Sequence, residues 1–137
     1  MSPLIERLAE LRLHLDHLEE LKPRVGSRVE VERDLSLHND VLYSLLTVCQ
    51  LVIDISGELS ARRGDRFEDY TQAVRNLAKD DRFETDLVTA LEPLPGFRNV
   101  LVHDYVGLDL DRVVEAIHSL EPVERFYAVV HGIASEE

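Results

Sequence analysis

The chain has 137 residues, 45% of them hydrophobic, and a formal charge of 15 − 27 = −12, so it can bury one core without metal or disulfide support and does not require a second domain. The acidic balance argues against broad electrostatic adhesion to nucleic acid or to an anionic membrane, so any phosphate site must be local and shaped. The single cysteine, Cys49 within LLTVCQLVIDI, excludes a disulfide framework and reads as a small core residue in a reducing, cytoplasmic setting.

With four Phe, four Tyr and no Trp, the core must come mainly from Leu, Val and Ile, a composition that favours helices. Ser2 and Pro3 make an N-cap and first-turn signal, and Leu4, Leu8, Leu11, Leu15 and Leu18 recur at helical spacing, which predicts a helix to about Leu21. Acids from position 6 onward argue against a signal peptide. His14 and His17, three apart, could in principle chelate a metal, but no acid or cysteine cluster accompanies them, so they are placed on the polar side of this helix.

A second helix starts between Val29 and Asp34 and reaches about Leu59, with Gly64 as its stop. It is the longest in the chain and apolar nearly all round, which predicts burial on most of its faces. Tyr43, Thr47, Gln50, Asp54 and Gly57 step along it at +4, +3, +4 and +3, forming a polar seam on one side. The seam is either a structural hydrogen-bond network or the lining of a cleft, and Asp54 is its member most costly to bury alone. Arg62, Arg63 and Arg66 in ARRGDR read as a solvated helix-end loop, with a polyanion rim as the alternative.

A third helix is expected over Phe67–Lys79, with Tyr70, Val74 and Leu77 inward. A fourth element begins near Glu84 and is broken by PLPG at 93–96 before the helix resumes into FRNVLVH. The last helix follows GLDLD, capped by Asp109 or Asp111, with a break at Pro122. No strand alternation, repeat or low-complexity tract appears, and no uncharged apolar stretch reaches membrane-spanning length. The expectation is one all-α domain over residues 1–137, a helical bundle of four to six segments.

The stretch FRNVLVHDY, residues 97–105, concentrates chemistry. Arginine offers a permanently charged fork for phosphate oxygens and transition-state charge. Histidine, as a residue type, titrates near neutrality and can take or give a proton. An RNA 2′-hydroxyl is already held beside its phosphate, so this pair needs no metal to assist an internal attack. Asn99 could orient His103 or donate to phosphate. Arg98 and His103 are five residues apart, and on an ideal helix they diverge by about 140°. They converge only if the helix loosens near His103 or if a second copy, packed across a two-fold axis, completes the groove.

RNVLVHDY, Arg98 to Tyr105, resembles the Arg-x4-His-x-Tyr motif of HepT-like toxins of the HEPN superfamily (higher eukaryotes and prokaryotes nucleotide-binding). Supporting resemblance runs from about residue 30 through QLVIDIS, FEDYTQAVRNLA and GLDLDRVVEAI. The resemblance implies a HEPN-type bundle acting as a homodimeric, metal-independent endoribonuclease, with Arg98 and His103 as the catalytic pair and Asn99 as the polar residue beside the arginine. It further implies a partner, a minimal nucleotidyltransferase antitoxin that neutralises the toxin by transferring AMP onto Tyr105. A bulky anionic adduct there would fill the cleft and repel RNA. No cofactor is implied. The competing reading is a non-catalytic HEPN-like module that binds nucleotide or a partner nucleotidyltransferase.

Overall fold

The computed structural model describes residues 3–103 and 105–137, with the backbone alone for Tyr105; Ser2, expected to cap the first helix, and Asp104 lie outside the described residues. Among the described residues there are eight α-helices, short 3-10 turns and no strand. The helices are α1 (Pro3–Leu21), α2 (Arg28–Arg33), α3 (Leu35–Arg63), α4 (Tyr70–Arg75), α5 (Thr85–Leu91), α6 (Leu94–His103), α7 (Leu110–Ile117) and α8 (Glu121–Ser135). The all-helical bundle expected from periodicity is present, with the expected segments divided further at local breaks.

Each break has a physical cause. Asp34 is extended (φ −128°, ψ 103°), ends α2 and caps α3, its carboxylate accepting from the Leu37 amide at 3.1 Å. Gly64 stops α3 in the left-handed region at φ 76°, where a Cβ is strained. The third helix starts later than Phe67: α4 opens at Tyr70 after Asp69 accepts from the Gln72 amide at 2.8 Å. Tyr70, expected inward, therefore sits exposed at the first turn, while Val74 and Leu77 are buried as expected. Asp109 caps α7 through the Asp111 amide at 2.9 Å, and Pro122 opens α8, where a proline's missing donor costs nothing.

The helix α3 is central. It packs against α1 and α6, α8 closes on α1 and α5, and one continuous core joins Leu11, Leu15, Val52, Ile55, Ile117 and Phe126, all essentially inaccessible to solvent. By length and composition α3 could cross a membrane, yet 50% of its most apolar window is buried within the bundle. The edges are fastened by ion pairs: Arg12 forks onto Glu124 at 2.8 and 2.7 Å, linking α1 to α8 while lying 4.9 Å from the Tyr127 ring centroid.

Candidate active site

PLPG sets where α6 begins. The helix opens at Leu94, so Pro95 falls in its first turn, and the chain stays α-helical through His103. Phe97 and Leu101, four apart, are buried and seat α6 on the core. Val100 and Val102 are only half-buried, so of the three aliphatic residues expected as anchors Leu101 does most of the anchoring.

With α6 seated this way, Arg98 meets the polar seam of α3. Its Nε donates to Gln50 Oε1 at 2.8 Å, and Gln50 Nε2 donates in turn to Asp54 Oδ1 at 2.8 Å. Arg98 Nη1 also donates to Asn99 Oδ1 at 3.1 Å. Arg98, Gln50 and Asp54 are all half-buried. The seam is thus a structural hydrogen-bond network, and the network that engages Asp54 also holds the candidate catalytic arginine. The rest of the seam divides by job. The Thr47 hydroxyl donates to its own helix at the Tyr43 carbonyl at 2.8 Å, Tyr43 is 65% exposed, and a Cβ on Gly57 would lie 3.3 Å from Phe67.

Asn99 and His103 are exposed and, four apart, share a face. Among the described residues His103 has no hydrogen-bond partner, and the Asn99 carbonyl oxygen is engaged by Arg98 rather than by the imidazole. The helix does not loosen between Arg98 and His103, so the two leave the axis about 140° apart. Tyr105 opens a 3-10 turn, Tyr105–Gly107; its side chain lies outside the described residues.

Other candidates fall elsewhere. Arg62 pairs with Glu58 at 2.7 Å and with Glu137, and Arg63 pairs with Asp65 at 3.2 Å and donates to the Lys79 carbonyl at 2.7 Å. Arg62 is twelve residues along α3 from Gln50, roughly 18 Å, so Arg62 and Arg63 make a neutralised helix end rather than an extension of the Arg98 site, and Arg66 is exposed in the loop beyond it. A recess of about 300 Å³ lined by Leu45, Cys49, Leu94, Phe97 and Arg112 lies on the inner side of α6. Cys49 is buried, and burial pushes its thiol up to about 12. His14 departs from its expected polar placement: its side chain is only 14% exposed, turned toward α3 with Nδ1 3.0 Å from Ser44 Oγ. His17 stays at the rim, 3.8 Å from Asp40, and among the described residues no three metal-ligating side chains gather. What sequence reasoning missed was Gln50 as the direct partner of Arg98. Its +4 spacing to Asp54 was visible, but the pairing of α3 with α6 is tertiary.

A family model described as Ribonuclease HepT-like matches residues 11–130. The mRNA nuclease HepT of Shewanella oneidensis is 26% identical over 129 residues, 93% of this chain and 95% of that protein. A putative RNase of Archaeoglobus fulgidus is 29% identical over 114 residues, 83% of this chain and 81% of that protein. Among solved structures, a tri-AMPylated Shewanella oneidensis HEPN toxin in complex with its MNT antitoxin superposes with a TM-score of 0.81 at 25% identity, covering 96% of this chain and 99% of that one. A tyrosine-to-alanine mutant of the toxin-antitoxin MntA-HpeT gives a TM-score of 0.82 at 25% identity with the same coverage.

Proposed function

The chain belongs to the HepT-like ribonuclease family, and from that premise we propose that it is the endoribonuclease toxin of a toxin–antitoxin pair, acting in the cytoplasm as a homodimer. The observation that carries this reading is the RNVLVH stretch of α6, with Arg98 fixed on the α3 seam and His103 exposed at the helix end. The ribonuclease and antitoxin names carried by the relatives support it.

The divergence of Arg98 and His103 on one straight helix argues for two chains. Across a two-fold axis, Arg98 of one copy and His103 of the other share a groove, and symmetry supplies the pair twice. There His103 removes the proton from a ribose 2′-hydroxyl, whose oxygen attacks the adjacent phosphorus. Arg98 holds the phosphoryl oxygens and the charge that builds on them. The bond to the 5′-oxygen breaks, that oxygen takes a proton, and the products are a 2′,3′-cyclic phosphate and a 5′-hydroxyl. The substrate supplies its own nucleophile, so the steps require no metal.

Neutralisation is assigned to a minimal nucleotidyltransferase antitoxin. The Tyr105 hydroxyl attacks the α-phosphorus of ATP held by that partner, forming a phosphodiester to AMP and releasing pyrophosphate. Tyr105 follows His103 by two residues, so the added anion would occupy the cleft and repel the RNA backbone. RNA incubated with the protein and excess EDTA should be cut to 2′,3′-cyclic ends. A requirement for added divalent metal would overturn the metal-independent mechanism, and intact RNA under all conditions would favour a purely binding module. Mass spectrometry after coexpression with the partner should find AMP on Tyr105; an unmodified tyrosine in a neutralised complex would assign neutralisation to binding.

A further inference from the structure

We infer that Gln50 is a positioning residue for Arg98, and that Asp54 fixes the orientation of its amide, so that α3 aims the terminal guanidinium nitrogens of α6 at the substrate phosphate. The inference rests on the ribonuclease reading and adds to it a residue outside the RNVLVHDY motif.

The chemistry of the three groups leaves one arrangement. A guanidinium can only donate and an ionised carboxylate can only accept. An amide lying between them must turn its oxygen to the arginine and its nitrogen to the aspartate, as the 2.8 Å contacts on either side of Gln50 require. Gln50 and Asp54 are four apart on α3, on the same face, and α3 is the central helix, packed against α1, α4 and α6. The relay therefore ties Arg98 to the helix at the centre of the bundle.

The choice of nitrogen matters. Of the five N–H donors of a guanidinium, Arg98 uses Nε on Gln50 and one Nη1 hydrogen on Asn99, leaving three on the terminal nitrogens. Clamping at Nε leaves Nη1 and Nη2 as a fork for two phosphate oxygens. A neutral amide anchors the arginine without cancelling its charge, whereas a glutamate at 50 would form an ion pair and weaken the pull on phosphate.

The test has one arm that needs no activity and one that does. In the wild-type protein the Arg98 Nε–H should give a nitrogen-15 cross-peak protected from exchange with water, and Gln50→Leu should abolish that protection. In RNA cleavage, Gln50→Leu should lower kcat by about 10- to 100-fold, the scale of a slightly misplaced group, with KM and melting temperature nearly unchanged. Asp54→Asn should give a smaller loss of the same kind, because an asparagine can donate as well as accept and no longer dictates the amide's orientation. Wild-type kcat in Gln50→Leu, or an Arg98 Nε–H that exchanges equally fast with and without Gln50, would overturn the relay. A wild-type chain that leaves RNA intact would instead sink the ribonuclease reading, and the catalytic role of the relay with it.

Discussion

At the scale of single residues, burial separates His103, the proposed general base, from Cys49. His103 is exposed at the end of α6, so His103→Ala should leave the melting temperature nearly unchanged. Its RNA cleavage should fall by about 10² to 10⁴-fold, the usual worth of a general acid or base; cleavage equal to wild type would remove His103 from the mechanism. Cys49 is the opposite case. It is the only cysteine, and burial pushes its thiol up to about 12, so almost none is thiolate at neutral pH. A thiol reagent should find no reactive group in the native protein and one per chain after denaturation. Labelling of the native chain at the denatured rate would show that the α3 core opens freely.

Among the elements, α3 owes its length to its two ends. Asp34→Ala removes the carboxylate from the Leu37 amide and should cost about 1 kcal/mol, or about 3 to 5 °C of melting temperature at this size. Gly64→Ala places a Cβ in the left-handed region and should cost about 1 to 2 kcal/mol. Thermal melts that move for neither variant would mean the bundle sets the ends of α3 unaided. The C-terminal end of α3 was legible in the sequence because capping is local: Gly64 as its stop, like Asp109 as the cap of α7, stands where the residue types placed it, whereas the Asp34 cap that separates α2 from α3 was not read. The start of the third helix was not, because Phe67 and Tyr70 offer an apolar period that the Asp69 cap overrides. The polar seam of α3 could be read from spacing alone. Its meaning could not, since Gln50 and Arg98 are forty-eight residues apart and meet only when Phe97 and Leu101 seat α6 on the core.

For the whole molecule, charge governs both stability and function. Asp80 is held below the ordinary carboxylate range chiefly by its hydrogen bonds from Arg82, and Asp86 likewise by Arg125, which fastens α8 to α5. A carboxyl whose folded value is lowered contributes stability above its unfolded value and loses it as pH falls through the folded one. The melting temperature should therefore hold from neutral pH down to the ordinary carboxylate range, about pH 4, and drop below it, with a smaller drop in Arg125→Met. A variant that loses as much as the wild type would show that these pairs do not set the acid limit. The same acidity bears on the proposed RNA substrate: at −12 the surface offers little general attraction, so binding is assigned in the proposal to the local Arg98 fork and to a groove shared by two copies. That shared groove is the central claim, and mixing two dead variants tests it most directly. Arg98→Ala and His103→Ala chains, each inactive alone, are unfolded, combined in equal amounts and refolded together. If Arg98 of one copy works with His103 of the other, half the dimers are mixed and each carries one complete centre, so about a quarter of wild-type cleavage should return. No recovery above the two variants measured separately would contradict the shared site.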